Sequence, residues 1–517
     1  MPSKHQMLRS SMVVGFFSLL GGLTGILVET SIAAKLGLSR SSDTFYVAFT
    51  LPYIITNLIT ATGQFSLVPF FAALENRTSD EELWRGFSYA VNMVFLGLGA
   101  LAVLGAALSP WLVRVIAPGL TRPQMELAAQ LCQWLFLITI PAGVAEAFRS
   151  FLLSRHSFAL SSATGLIRNL TVIAVIVWGF NRYGPYSIVL GYLAGYVLTV
   201  VVLGGQIVIS YPVRYSLTLM ASGEAFRNLR GAGTVQLANA LAWQGVVVIE
   251  RIIASFLVPG TLTALNYGFK IVSTLAELLT GSVGTAALPA LSNAVARQAE
   301  AEQRKTWQDT LQISLVLALP FMIFCLMLPN PIIRLVFQRG NFTLQATSLM
   351  AMVFFYYSLS LLSFSFIRLM TFYLFARHEA GLFFRLSMLY YGLTAGFDLF
   401  YVGVLRLGAK GIPLALLTST LLTSGLAIQR DLGGLRRFLD RAIASFTLKN
   451  GLAGVLVVVA IWGLRRWIEP PSTGFQNLVY LCELCGTGSL VYLAALAALR
   501  AFPLAQLAEI WPRADRS

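Results

Sequence analysis

The stretch from Asp43 to Ala73, DTFYVAFTLPYIITNLITATGQFSLVPFFAA, constrains this chain more than any other. No charged residue lies between Asp43 and Glu75. About 20 apolar residues suffice to carry a helix across a bilayer core, so the stretch is long enough to span one. It is also interrupted, with Pro52, Asn57, the run Thr60-Ala61-Thr62-Gly63 and Pro69 inside it. Breaks at membrane depth are tolerated where neighbouring protein or a wet cavity meets the freed backbone groups. Discontinuous spans of this kind face the substrate path in transporters.

The stretch recurs. A shift of 220 residues brings Phe49 onto Phe269, Leu58 onto Leu278, Thr60 onto Thr280 and Pro69 onto Pro289. The second copy runs from Leu265 to Ser292, and Lys270 stands where the first copy has Thr50. Chance alone can produce four identities in apolar sequence. A real repeat of broken segments in two halves points to a substrate path between them.

Composition settles the class. The chain is 57% hydrophobic and 11% charged, against about a quarter charged in soluble domains, which makes it a polytopic membrane protein. Hydropathy places about fourteen spans near 11–34, 45–74, 86–108, 126–153, 158–180, 185–210, 231–258, 263–293, 310–337, 346–376, 381–405, 411–429, 450–467 and 475–499. Segments 211–230 and 430–449 are basic and partly amphipathic, and are expected on the membrane surface. The first span is read as retained, because its apolar run is long and lacks a clear cleavage site.

The net charge of +15 reflects scattered loop residues, which argues against nucleic-acid binding. Of 31 Lys and Arg outside the spans, 20 fall on the side that holds both termini, so both termini are expected in the cytoplasm. Cys132, Cys325, Cys482 and Cys485 lie in apolar segments and read as buried, inert thiols. The three histidines are too scattered for a metal cluster.

The chain resembles the MurJ/MviN family of lipid II flippases, within the superfamily that also holds MATE exporters and polysaccharide flippases. The matching residues are Asp43 to Pro52, Phe65-Ser66, Val68-Pro69, Ser109-Pro110-Trp111, Ala117-Pro118-Gly119, Gly284-Thr285, Leu288-Pro289, Leu291-Ser292 and the motif Phe337 to Thr343. The resemblance implies an all-α fold of two pseudo-symmetric six-helix lobes plus two C-terminal helices. The chain then divides into a first lobe at 1–210, a cytoplasmic linker at 211–230 and a second lobe at 231–429. A basic surface segment at 430–449 and a final pair of spans with a tail at 450–517 complete it. The implied activity is alternating-access movement of a polyprenyl-pyrophosphate-linked glycan, with cationic residues of a central cavity receiving the pyrophosphate. Where the family carries arginines in spans one and two, this sequence has Gly22, Val28 and Thr56. Its span-eight arginine is Lys270 here, and the acid one turn on is Ser273.

Charged side chains inside a membrane are costly and usually face a cavity or a partner. Lys270, Arg251 and Arg368, with Asp43, Thr56 and Asn57, are the substrate-binding candidates. Lys270 also reads as a snorkelling interface residue, and Glu250-Arg251 as a structural ion pair across helices. Asp398, Glu277, Glu250 and Glu29 are candidates for a coupling cation, sodium or proton, against plain polar contacts between helices. Glu146 and Arg149 read as a structural i,i+3 pair. Arg168-Asn169 is a lesser cavity candidate.

No Ser/His/Asp set, phosphate loop or ATP-binding domain is visible, so the chain reads as a non-enzyme of the cell inner membrane. Its expected partners are a lipid-linked glycan, membrane lipids and envelope-synthesis proteins. Exopolysaccharide-unit flippase, MATE-type ion-coupled antiporter and non-transporting envelope scaffold are the rival readings.

Overall fold

The computed structural model describes residues 4–77, 79–219, 234–431, 441–468 and 474–501, and they are helical nearly throughout. The medium dictates this, because a segment in hydrocarbon has to satisfy its own backbone groups. Packing divides the chain into two units, Met1–Thr263 with Gly340–Phe342 and Ala264–Arg339 with Thr343–Ser517.

Unit one holds α1 (Lys4–Leu36), α2 (Arg40–Thr62), a π-turn (Gly63–Leu67), α3 (Val68–Arg77), α4 (Asp80–Ile116), α5 (Arg122–Phe136), α6 (Thr139–Ser154), α7 (Phe158–Tyr183), α8 (Tyr186–Ser210) and α9 (Thr234–Ser255). The stretch Arg40–Glu75 is one broken span, and α9 packs on α2 and α4. Below the break, Phe71, Trp84, Phe87 and Phe151 form a buried aromatic core joining α3, α4 and α6.

The expected linker at 211–230 is described only as far as Leu219; residues 220–230 lie outside the described residues. Residues 212–219 are not helical and lie beside α4. The Ser216 N–H donates to Ser88 Oγ at 3.1 Å, and Asn92 Nδ2 donates to the carbonyls of Ser216 and Thr218 at 3.2 and 3.0 Å. These bonds replace the ladder that a helix would have supplied.

Unit two holds most of α10 (Thr261–Ala276), a π-turn (Glu277–Gly281), α11 (Ser282–Ala296), α12 (Glu300–Met327), α13 (Pro329–Phe337), α14 (Leu344–Leu359), α15 (Leu361–Ala376), α16 (Ala380–Asp398), α17 (Gly411–Asp431), α18 (Arg441–Leu464) and α19 (Gly474–Ala498). The C-terminal pair seats on α12 and α13. Phe324, Val457, Ile461 and Leu484 form a common core, and Asn477 Nδ2 donates to the Pro331 carbonyl at 2.8 Å.

The two units repeat a local device. The helix ends at α6 and α15 carry Arg155-His156 and Arg377-His378, and both histidines are left-handed, with φ of 56° and 57°. Each is followed by a backbone bond that closes the helix end, Ser157 N–H to Leu152 O at 2.9 Å and Glu379 N–H to Leu374 O at 3.0 Å. Each arginine also stands over an aromatic ring, Phe151 in one case and Tyr373 in the other.

Several sequence expectations need correction. Among the described residues twelve helices are long and apolar enough to cross a membrane, and the pair α14–α15, bent by 49°, makes a thirteenth. The fourteenth, expected at 381–405, is α16 and a following π-turn (Leu399–Val404); Arg385, Asp398 and paired tyrosines dilute its apolarity. The span expected at 310–337 ends at Met327, where Pro329 and Pro331 start a separate α13. Residues 441–449 belong to α18 instead of a separate surface segment, while 432–440 lie outside the described residues, as does the tail from 502. Cys482 is exposed on α19, not buried.

The motif Phe337 to Thr343 has a clear local task. Asn341 N–H donates to Ala34 O at 2.8 Å and Asn341 Nδ2 to Lys35 O at 2.7 Å, so this turn closes the C-terminal end of α1. Gly340 is left-handed (φ 56°), and a Cβ there would lie 2.3 Å from Ala34 O. A left-handed non-glycine residue costs about 1–3 kcal/mol before any clash is added. Gly340→Ala is therefore expected to lower the thermal denaturation midpoint of the purified protein; an unchanged midpoint counts against this closure.

Candidate functional site

In unit one the broken span presents a polar face. Phe49, Tyr53, Asn57, Thr60 and Gln64 recur every three or four residues, so they share one side of the helix, and all are half-buried or exposed. The face is aromatic and amide in character and carries no charge. Thr56 is off it: it is buried, and its hydroxyl donates to the Tyr53 carbonyl at 2.8 Å. The π-turn that follows lies against a buried pair on α6. Arg149 donates to both carboxylate oxygens of Glu146, at 2.9 and 2.7 Å. Gly63 permits this approach, because a Cβ there would fall 2.0 Å from Glu146 Oε1.

Asp43, expected among the substrate-binding residues, has its buried carboxylate aimed at the α9–α10 connection. Its oxygens accept the Gly260 N–H at 2.6 Å, the Thr263 N–H at 2.9 Å and the Thr263 hydroxyl at 2.7 Å. Arg251 lies within electrostatic reach of that carboxylate and points toward the Leu262 carbonyl, 3.5 Å away, beside its neighbour Glu250. Asp43 and Arg251 thus belong to one polar knot. Glu29 of α1 accepts the Tyr46 hydroxyl.

Arg168 sits midway along α7. Its Nη1 donates to the Tyr196 hydroxyl at 3.1 Å, and its guanidinium lies 5.1 Å from the Tyr196 ring. The neighbouring Asn169 donates to the Gly21 carbonyl and to Thr24 Oγ1, at 3.1 and 3.2 Å. Gly22 is half-buried and Val28 buried, so α1 brings no cation at either position.

In unit two the matching span carries charge on its polar face. Asn266, Lys270, Ser273 and Glu277 share one side of the helix and are half-buried or exposed. Lys270 stands nine residues past Thr261, about 14 Å along the helix. Among the described residues its ammonium has no hydrogen-bond or ion-pair partner. One turn past Ser273, Glu277 opens the π-turn and pairs with Arg368 of α15, and both side chains are exposed. Asp398 is fully buried at the end of α16, one turn after a Thr394–Ser419 hydroxyl contact of 2.8 Å.

Glu146 and Arg368 occupy equivalent places, each ten residues before its unit's left-handed histidine. One is an acid and the other a base, yet each meets the π-turn of its own unit's broken span. Sequence reading took Glu146–Arg149 as structural and did not link it to the break. The period of the polar faces was the signal available for that link.

Two units built round broken spans with polar faces define a multi-pass membrane transporter. The fold is that of a solved structure titled "Lipid II flippase MurJ, inward closed conformation", with TM-score 0.78, 19% identity, and coverage of 95% of this chain and 98% of that one. An inward-facing MATE multidrug transporter of the MOP superfamily also matches, with TM-score 0.65, 12% identity, and coverage of 80% and 92%. A probable lipid II flippase MurJ of Buchnera aphidicola (subsp. Acyrthosiphon pisum, strain APS) is 22% identical over 483 residues, 90% of this chain and 93% of the relative. The profile described as "Lipid II flippase MurJ" matches residues 32–480, and the chain belongs to that family of transporters.

The Asp43 knot yields a test. Asp43→Ala orphans two buried N–H groups and a hydroxyl, at about 1–3 kcal/mol for each unmet group. The expected outcome is a large fall in thermal stability, with Asp43→Asn intermediate. Full stability with loss of transport would instead make the carboxylate a substrate ligand.

Proposed function

We propose that this protein moves a polyprenyl-pyrophosphate-linked glycan of the lipid II type across the bacterial cytoplasmic membrane by alternating access. Membership of the family supports the class of substrate. The observation that carries the reading for this chain is Lys270, an ammonium on the polar face of a broken span, without an ion-pair partner among the described residues. An anion drawn into a low-dielectric path needs such a charge, because an unpaired buried anion is very costly. Lys270, Ser273 and the Glu277–Arg368 pair form the substrate-facing surface of unit two, and Asn57 belongs to that of unit one. Energy comes from an ion gradient or the membrane potential. The uncharged residues Gly22, Val28 and Thr56 favour one second reading, a flippase for another lipid-linked sugar such as an exopolysaccharide unit.

Complementation of a strain depleted of its lipid II flippase separates the two. Growth is expected from this chain, and failure despite normal membrane insertion favours the second reading. In the same assay Lys270→Ala is expected to abolish transport while leaving insertion intact. Lys270→Arg is expected to keep partial function, since charge persists while shape and hydration change. Normal transport by Lys270→Ala would place the phosphate seat elsewhere.

Both termini are proposed to be cytoplasmic, from the excess of Lys and Arg on their side. Reporter fusions after residues 225 and 517 are expected to give cytoplasmic signals, and a periplasmic signal at either reverses the orientation.

A further inference from the structure

We infer that unit one has its own phosphate-binding seat, made by Arg168 of α7 with Tyr192 and Tyr196 of α8 and Tyr53 of α2. The inference rests on the proposed lipid-linked pyrophosphate substrate. Arg168 carries it. A guanidinium offers five N–H donors in a fixed fork and keeps its charge at any accessible pH. Two donors are used here, one strongly on the Tyr196 hydroxyl at 3.1 Å and one weakly on Asn169 Oδ1 at 3.5 Å. The Nε is buried and has no acceptor among the described residues. Among the described residues no carboxylate lies within ion-pair distance of this arginine, whereas Arg149 has Glu146 and Arg368 has Glu277; Glu29 of α1 lies within electrostatic reach of Tyr192. A cation midway along a membrane-spanning helix, with spare donors and no direct ion pair, is costly unless an anion completes it.

The surroundings fit a phosphate. Tyr192 and Tyr53 lie within electrostatic reach of the guanidinium, and their hydroxyls add neutral donors. Phe49 stacks on Tyr53 at 5.2 Å and packs on Tyr192 at 4.9 Å, which fixes both rings. Tyr53 is 41% exposed on the polar face of the broken span, so the seat opens on that side. The position of Arg168 is set by close helix approach: a Cβ on Gly195 would lie 2.9 Å from the Arg168 carbonyl oxygen and 3.0 Å from its Cγ. Planar, multidentate phosphate recognition is the task to which arginine is better suited than lysine.

The test is native mass spectrometry of the full chain in detergent micelles, with geranylgeranyl pyrophosphate as probe and geranylgeraniol as the phosphate-free control. The wild type is expected to retain the pyrophosphate and not the alcohol. Arg168→Gln is expected to weaken retention by about tenfold or more, as loss of charged hydrogen bonds does, and Arg168→Lys by less. Tyr196→Phe keeps the ring and removes the hydroxyl that aims the guanidinium, and a loss of a few-fold is expected even if Arg168→Gln does not fold. Equal retention by wild type, Arg168→Gln and Tyr196→Phe overturns the seat. If Lys270→Ala alone loses the probe, the seat fails and the proposed function stands. If the wild type retains no pyrophosphate, both fall together. Displacement of the probe by an equal concentration of dioleoyl phosphatidate overturns the prenyl assignment.

Discussion

A polypeptide that leaves the α-helical ladder inside hydrocarbon has to find partners for the groups it frees. Both long broken spans of this protein are organised by that requirement. At Gly63–Leu67 and Glu277–Gly281 the chain widens into a π-turn, a local insertion that is often found at functional sites. Threonine hydroxyls around each break return to carbonyls one turn back, Thr60 to Thr56, Thr62 to Leu58 and Thr285 to Gly281. A carboxylate–guanidinium pair stands at each turn. The breaks are therefore held in place by neighbours, and the polar faces they carry keep a defined register.

The charges obey the same economy of partners but differ between the units. Glu146 and Arg368 stand at equivalent places with opposite sign; Glu146 takes its partner from its own helix and Arg368 from the broken span. A repeat that preserves the position of an ion pair while exchanging its sign preserves the geometry of the break and changes the field along it. Unit one is left with an uncharged aromatic and amide face, and unit two with a face bearing Lys270 and Glu277. Asn169, the neighbour of Arg168, bonds the Gly21 carbonyl and Thr24 Oγ1 on the stretch of α1 that holds Gly22.

Most of the fold was legible because hydropathy is a property of long windows. The broken span, its repeat and the closing pair of helices all followed from stretches of twenty residues or more. Boundaries set by single prolines were not legible in this way, as at Pro329 and Pro331, nor was the polar dilution of α16. The site was read less well. Asp43 looked like a binding residue because a carboxylate opens the broken stretch, yet its acceptors are met by backbone N–H groups more than two hundred residues away. No local pattern announces such a bond. Lys270 was legible in both its readings, cavity cation and interface residue. Arg168 was legible only as a lesser candidate, because pairing is a tertiary fact that no local pattern announces.

A path that carries an anion must attract it without trapping it, so binding has to be strong enough for entry and weak enough for release. A row of bare arginines at membrane depth satisfies the first condition and endangers the second. Here Arg149 and Arg368 are each neutralised by a glutamate, and they contribute shape and hydrogen-bonding capacity more than net field. Among the described residues Lys270 in unit two and Arg168 in unit one have no ion-pair partner, the first a hydrated point charge and the second a planar fork softened by a tyrosine ring. The two groups suit phosphate differently, ammonium by charge alone and guanidinium by charge and directed bonds. A transporter that alternates between states changes affinity only through contacts that differ between them. Under the proposed function, two chemically unlike cations, one in each unit, let such a difference arise from geometry.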